Sequence, residues 1–277
     1  MTSTSADGAL DGRALHAALP DAVRSRYAVI ETVDAIDSTN SELLRRRTPD
    51  TGIAALFANA QSGGRGRLGR VWSSPAGGNL YCSLARRFDG DLARLGGLSL
   101  AVGATLAEAL NGIGAAVRLK WPNDLVADDG NALRKLGGVL IEGGLQDGRA
   151  RAVIGFGLNL RMPADAATAI DQPWTDLHAL LGAALPRRDA IAVALLSALA
   201  DALDRFDAEG LAPFLPRFEA LDALRGARVS ATIAGRDTEG VVVGLGDDGA
   251  LRLRTHDGEI ALRAGEVGVR RRAPAQA

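Results

Sequence analysis

"GGRGRLGRVWSSPAGGN" (residues 63–79) is the stretch whose reading decides the fold. Gly64, Gly66 and Gly69 match the G-x-G-x-x-G spacing of a dinucleotide-binding turn, and Asp89 stands twenty residues beyond Gly69. That fingerprint requires a helix directly after the glycines, because the helix N-terminus receives the pyrophosphate. Here Pro75 and two further glycines follow, and they forbid a helix of useful length. The doubly wound reading is rejected. No G-x-x-x-x-G-K-[ST] occurs anywhere, so the phosphate P-loop is rejected too.

The charge pattern around the same loop is more informative. No acid lies between Asp50 and Asp89, whereas Arg65, Arg67, Arg70, Arg86 and Arg87 do. In a chain of 277 residues with net charge −1, this local positive field points to a focused anion site. A solvated basic loop is the plainer alternative. Interleaving glycine with arginine is entropically costly, which favours the anion site. Two other stretches point the same way. "KWPND" (120–124) sets Lys120, Asn123 and Asp124 where proline breaks a strand, and "RKLGGVLIE" (134–142) sends Lys135 into an apolar strand. Taken singly, the first reads as an ordinary turn and the second as a snorkelling surface lysine.

The rest of the chain frames these motifs. "YAVIETVD" (27–34), "IAALFANA" (53–60) and "NLYCSLARR" (79–87) read as strands, and "DSTNSELLRRR" (37–47) as a helix capped by Ser38 or Thr39. Residues 93–112, 187–208 and 211–223 read as helices. Residues 135–160 read as a hairpin turning at Gln146-Asp147-Gly148. The first 27 residues are expected to be a loose tail with at most one short helix. After residue 223, short strands alternate with "AGRD", "GDDG" and "HDG" turns, which predicts a separate small β-barrel over 224–277, with the larger domain spanning 28–223.

Composition narrows the function. The net charge and the few aromatics (4%) argue against a nucleic-acid-binding module built on the arginine loop and barrel. No run of eighteen apolar residues and no secretory signal is present. The single Cys82 cannot pair within the chain, which fits a cytoplasmic location, and its strand position suggests an inert core thiol. His16, His178 and His256 sit in no metal-ligand spacing, so neither a protein-held metal nor a Ser-His-Asp triad is expected.

Five stretches in order, "DSTN" (37–40), "QSGGRGRLGRVWSSPAGGNLY" (61–81), "KWPNDL" (120–125), "KLGGVLIE" (135–142) and "GFGLNL" (155–160), resemble the biotin protein ligases. The resemblance implies an α+β catalytic domain of the class II aminoacyl-tRNA-synthetase-like kind, a mixed β-sheet with helices. It also implies a C-terminal barrel of the Src-homology-3 type. It implies ATP-dependent activation of biotin as biotinyl-5′-AMP, assisted by Mg²⁺, then transfer to a lysine of the biotin carboxyl carrier protein of acetyl-CoA carboxylase. A lipoate–protein ligase, which shares the fold and chemistry, is the near alternative. Members that repress genes carry an N-terminal winged helix of roughly sixty residues. With only about 27 residues before the first strand, a mono-functional ligase without DNA binding is expected. A monomer and a homodimer are both compatible with the sequence.

By the same resemblance, Ser38, Thr39 and Asn40 lie at the biotin pocket, with Ser38 or Gln61 hydrogen-bonding the ureido ring. Gly64, Arg65, Gly66 and Arg67 wrap the biotin tail and α-phosphate. Lys135 bridges carboxylate and phosphate, and Lys120 contacts phosphate. Asp124 either orients or deprotonates the incoming lysine or serves Mg²⁺. Asn159 meets the nucleotide. Trp72 packs on adenine or is a simple apolar anchor. The barrel closes over ATP or docks the carrier. The loop at 61–75 is expected to be disordered when free and to close over the intermediate.

Overall fold

The computed structural model of the protein describes residues 9–164, 170–233, 236–263 and 268–271; residues 1–8 of the expected tail and 234–235 of the "AGRD" turn lie outside them. Alternating apolar residues build a seven-stranded sheet: β1 (Tyr27–Ile36), β2 (Ile53–Gln61), β3 (Leu80–Arg87), β4 (Arg118–Lys120), β5 (Asp124–Asp128), β6 (Leu133–Gln146) and β7 (Arg149–Leu158). Their order is β1-β2-β3-β7-β6-β5-β4. β1 and β2 are parallel, and all other neighbours are antiparallel. The helices are α1 (Gly12–Ala18), α2 (Asp21–Arg24), α3 (Thr39–Arg45), α4 (Leu98–Gly112), α5 (Leu177–Leu181), α6 (Arg188–Glu209) and α7 (Leu215–Leu221).

The two faces of the sheet do different jobs. Phe57, Cys82, Val139 and Phe156 point into the main core with α4 and α6. On α6, Ile191, Leu195, Leu199, Leu203 and Phe206 recur at helical spacing on the buried side. The opposite face presents Ala54, Leu56, Ala85 and Val153, covered at one end by Leu43 of α3. Beyond α3 this second face carries the candidate site.

Residues 12–24, expected as a loose tail, form two helices whose Leu15, Leu19 and Val23 enter the main core. Leu19 is the extended C-cap of α1 and Pro20 the N-cap of α2, so the three come from two short helices and the break between them. Gly12 sits so close to β1 that a Cβ there would lie 2.3 Å from the Ile30 carbonyl oxygen. The helix expected from residue 93 begins at Leu98, after a 3₁₀ turn over Leu92–Leu95. No helix among the described residues is long and apolar enough to cross a membrane.

The C-terminal strands β8 (Arg228–Ile233), β9 (Arg236–Leu245), β10 (Leu251–Thr255), β11 (Gly258–Leu262) and β12 (Gly268–Arg271) form an antiparallel five-stranded sheet in the order β11-β10-β9-β8-β12. Its Val229, Ala231, Val242, Leu251 and Leu253 belong to the same apolar core as the large sheet. The turn between β9 and β10 plugs into that core. The buried Trp121 indole donates to the Gly249 carbonyl at 3.0 Å. Gly249 has φ +76°, and a Cβ there would lie 2.7 Å from Leu100 Cδ1 and 3.0 Å from Leu211 Cδ2.

Asp222 lies at this junction. Residue 222 bridges in parallel to Leu119, and its carbonyl accepts from Arg118 at 2.7 Å. Its carboxylate accepts the Leu224 N–H on Oδ1 at 2.8 Å, while Oδ2 has no partner. Burial lifts the Asp222 pKa to about 6, against the Leu224 amide and the Arg118 and Arg225 charges, which pull it down. The folded state therefore holds this proton to higher pH than the unfolded chain does. The stabilisation is complete below the ordinary carboxylate range and is lost as pH rises through about 6. Asp222→Asn should be more stable than the native chain by roughly 1–3 kcal/mol at neutral pH, with the difference shrinking towards pH 4. Urea denaturation at the two pH values checks this, and a pH-independent difference would refute it.

Candidate active site

The pairing register sets the site in rows across the second face. Lys120 pairs with Asp124, Asp124 with Gly138, Gly138 with Gly157 and Gly157 with Tyr81. Directly opposed residues point to the same side. The next row holds Leu140, Gly155 and Ser83. Two charged side chains thus stand beside a floor of glycines.

Lys135 joins them through an irregularity. Three residues separate it from Gly138, so regular alternation would turn the two to opposite faces. Between β5 and β6 the register jumps: Leu125 pairs with Gly137 but Val126 pairs with Lys135, leaving Leu136 as an extra residue. This bulge brings Lys135 back to the site face. Its ammonium meets Asp124 Oδ1 at 2.6 Å, with both side chains more than four-fifths buried. The surface-lysine alternative is thereby overturned. The backbone around Lys135 is also held, since its N–H donates to the Pro173 carbonyl and its carbonyl accepts from Thr175, both at 2.9 Å.

The glycine–arginine loop folds back on itself. Gly66 N–H donates to Arg70 at 2.7 Å, Trp72 N–H donates to Gly64 at 2.9 Å, and Arg65 bridges to Val71. Instead of the disorder expected from its glycines, the loop is a hairpin-like turn. Gly64 answers a close approach: a Cβ there would lie 2.6 Å from both Ser74 Oγ and the Trp72 carbonyl. The Trp72 ring lies on Gly157, where a Cβ would come within 2.5 Å of Nε1, and the Lys135 ammonium stands 5.4 Å from the ring centroid. Arg67 is half-buried and donates to Asn123 Oδ1 at 3.4 Å. Burial lowers its pKa from the ordinary value, and Asp124 opposes that shift. Arg65 pairs with Glu142 at 2.9 Å.

A second cluster lies under the start of α3. Ser38 caps the helix by accepting the Ser41 N–H. Thr39 N–H donates to Gln61 Oε1 at 2.9 Å, and Gln61 Nε2 donates to Ser74 Oγ at 2.9 Å. Asn40 reaches over Gly155, where a Cβ would lie 2.2 Å from Oδ1; the glycine is what admits it. Ser38, Thr39 and Asn40 are all buried. The structure therefore gathers Ser38, Thr39, Asn40, Gln61 and Gly64 on one side and Lys120, Asp124 and Lys135 on the other. Arg67 and Trp72 lie against the second group. Asn159 is buried just past β7, donates to the Thr175 carbonyl at 3.1 Å, and leaves Oδ1 without a partner. Cys82 faces the core, and burial drives its thiol pKa up, as an inert thiol requires.

Ser83 and Glu142 belong to this arrangement and were not singled out by sequence reasoning; Asn123, marked with Lys120 and Asp124 in the "KWPND" stretch, belongs to it too. Neither Ser83 nor Glu142 carries a periodic signal of its own, since β3 also holds Arg86 and Arg87 and β6 also holds Arg134, Lys135 and Gln146. Asn123 extends the β6 pairing, donating to the Val139 carbonyl at 2.8 Å and accepting Val139 N–H at 2.9 Å.

Known proteins share this fold and order of elements. Residues 32–159 match the biotin/lipoate A/B protein ligase family, and residues 226–270 match the biotin protein ligase C-terminal domain. The bifunctional ligase/repressor BirA of Escherichia coli is 39% identical over 246 residues, covering 86% of this chain and 75% of its own. The biotin–[acetyl-CoA-carboxylase] ligase of Paracoccus denitrificans is 32% identical over 83% of this chain and 96% of its own. A solved biotin protein ligase from Aquifex aeolicus, in complex with biotin and ATP, superposes with a TM-score of 0.72 at 27% identity, covering 87% of this chain and 98% of that one. The chain belongs to the biotin protein ligase family, and it is an enzyme of that class.

The resemblance puts Lys135 between carboxylate and phosphate, and a cation in that role should matter to rate. Lys135→Ala should slow pyrophosphate release from ATP and biotin by about 10²–10³-fold. The variant should still fold, since Lys120 and Arg67 remain near Asp124. Near-normal release by a folded variant would return Lys135 to a structural role.

Proposed function

We propose that the enzyme condenses biotin with ATP and passes the biotinyl group to a lysine of the biotin carboxyl carrier protein of acetyl-CoA carboxylase. The observation that carries this is the row of Lys120, Asp124 and Lys135 beside Arg67, which gathers three cations about one carboxylate on the sheet face. The names borne by the Paracoccus denitrificans and Mycobacterium tuberculosis relatives, both biotin–[acetyl-CoA-carboxylase] ligases, support the carrier.

The chemistry needs no enzyme nucleophile. A biotin carboxylate oxygen attacks the α-phosphorus of ATP and pyrophosphate leaves, giving biotinyl-5′-AMP. The neutral ε-amine of the carrier lysine then attacks the acyl carbon, AMP leaves, and an amide forms. Two anions must first be brought together, and fixed cations reduce that repulsion. Lys135, Lys120 and Arg67 supply them. Asp124 holds Lys135 in place and is the acid best placed to take the proton the incoming lysine sheds. Mg²⁺ bound with ATP would neutralise charge on the leaving pyrophosphate, and Asp124 is the carboxylate of this row that would help hold it. The buried Ser38, Thr39 and Asn40 with the half-buried Gln61 suit a ureido ring. A dithiolane would offer them no hydrogen bonds, which favours biotin over lipoate.

Incubation with biotin, ATP, Mg²⁺ and the carrier domain should add the mass of one biotinyl group to the carrier. Lipoate should not replace biotin, and transfer of lipoate instead would overturn the assignment. Within the loop, Arg70 is exposed, whereas Arg67 is half-buried and Arg65 is paired with Glu142. Brief trypsin treatment of the free protein should therefore cut after Arg70 first. Biotin with ATP should protect that bond, and equal cleavage in both states would show that the loop does not close on its ligands.

A further inference from the structure

Glu142 lies at the end of a hydrogen-bond chain that reaches into the polar cluster under α3. Its Oε2 accepts from Asn40 Nδ2 and from Arg65 Nη2, both at 2.9 Å. Asn40 Oδ1 accepts from Ser83 Oγ at 2.6 Å. Ser83 Oγ lies 2.7 Å from Thr39 Oγ1, which is 3.2 Å from Gln61 Oε1. A carboxylate can only accept, whereas an amide or a hydroxyl can serve either way. Facing Glu142, Asn40 must present its NH₂ there, and its second proton points to the Leu140 carbonyl at 3.4 Å. Its carbonyl oxygen is then left for Ser83, which must donate. With its only proton spent, Ser83 cannot donate to Thr39. Thr39 therefore donates, either to Ser83 or to Gln61, and its oxygen keeps lone pairs open to a ligand N–H.

We propose that Glu142 is a positioning residue for biotin recognition: it fixes the direction of the Asn40–Ser83–Thr39 hydrogen bonds, so that Thr39 faces the ligand as an acceptor. A buried chain of neutral groups has two directions of similar energy, and only one suits a ureido N–H. Replacing the carboxylate by an amide of the same shape restores the ambiguity. In the reversed direction Ser83 donates to Thr39 and occupies a lone pair the ligand needs. Arg65 adds a second grip on the same carboxylate oxygen. This inference rests on the reading that Thr39, Asn40 and Gln61 line the biotin pocket.

Glu142→Gln should raise the biotin KM of pyrophosphate release by about 10-fold or more, with kcat and the ATP KM little changed. The same variant in a Ser83→Ala background, which has no hydroxyl to direct, should show almost no additional loss. In an Arg65→Met background the Glu142→Gln effect should persist. Thr39→Val should weaken biotin on its own. An unchanged biotin KM in Glu142→Gln, with Ser83→Ala and Thr39→Val both impaired, would overturn the inference and leave the pocket standing. A Glu142→Gln effect that survives in full in Ser83→Ala but disappears in Arg65→Met would assign Glu142 to the loop alone and also overturn it. Unimpaired biotin use by both Thr39→Val and Ser83→Ala would remove the pocket reading itself.

Discussion

The contact between Lys135 and Asp124 is the constraint on which the site depends. An ion pair this far out of water is held only where geometry is good, because its desolvation is costly. The geometry comes from the sheet: a tight β4–β5 hairpin sets Lys120 opposite Asp124, and one extra residue in β6 turns Lys135 inward. The glycines opposite admit the side chains of Trp72 and Asn40 against the sheet. The same backbone irregularity that creates the cation therefore also determines where an anion can lie.

Around that row, cations are mostly matched by protein acceptors. Lys135 has Asp124, Arg65 has Glu142, and Arg67 leans on Asn123. An enzyme that binds two anions in succession gains from such pairing, since unpaired buried charges would oppose folding. Under the proposed function, ligand carboxylate and phosphate would enter as competitors for donors already aimed. This preorganises the electrostatics without leaving bare charge in the core.

Much of this was legible in the sequence. Alternation marked β2, β3, β6 and β7, Ser38 marked the start of α3, and the missing helix after Gly69 excluded a dinucleotide fold. Of the arginines in the acid-free interval, Arg67 lies beside Asn123 and Asp124, whereas Arg86 pairs with Asp204 and Asp207 and Arg87 with Asp50 and Asp147. Three features were hidden. The bulge at Leu136 leaves no local signature, because Leu136 is apolar and fits either face. The role of Gly64 read as flexibility, when its neighbours Ser74 and Trp72 impose it through space. Glu142 looked like the end of an apolar strand, since its partners Asn40 and Arg65 are 102 and 77 residues away in sequence. Periodicity reports on the chain beside a residue, and these features are set by contacts from elsewhere.

The Trp121–Gly249 hydrogen bond has a consequence for how the enzyme comes into being. Its two ends are 128 residues apart, so a growing chain exposes the tryptophan long before the carbonyl that receives it has been made. At ordinary elongation rates that interval is on the order of ten seconds. During it, the turn holding Lys120 and Asp124 lacks the support that the β9–β10 turn later gives it. That turn therefore gains its hydrogen-bonded buttress only after a further 128 residues have been joined to the chain.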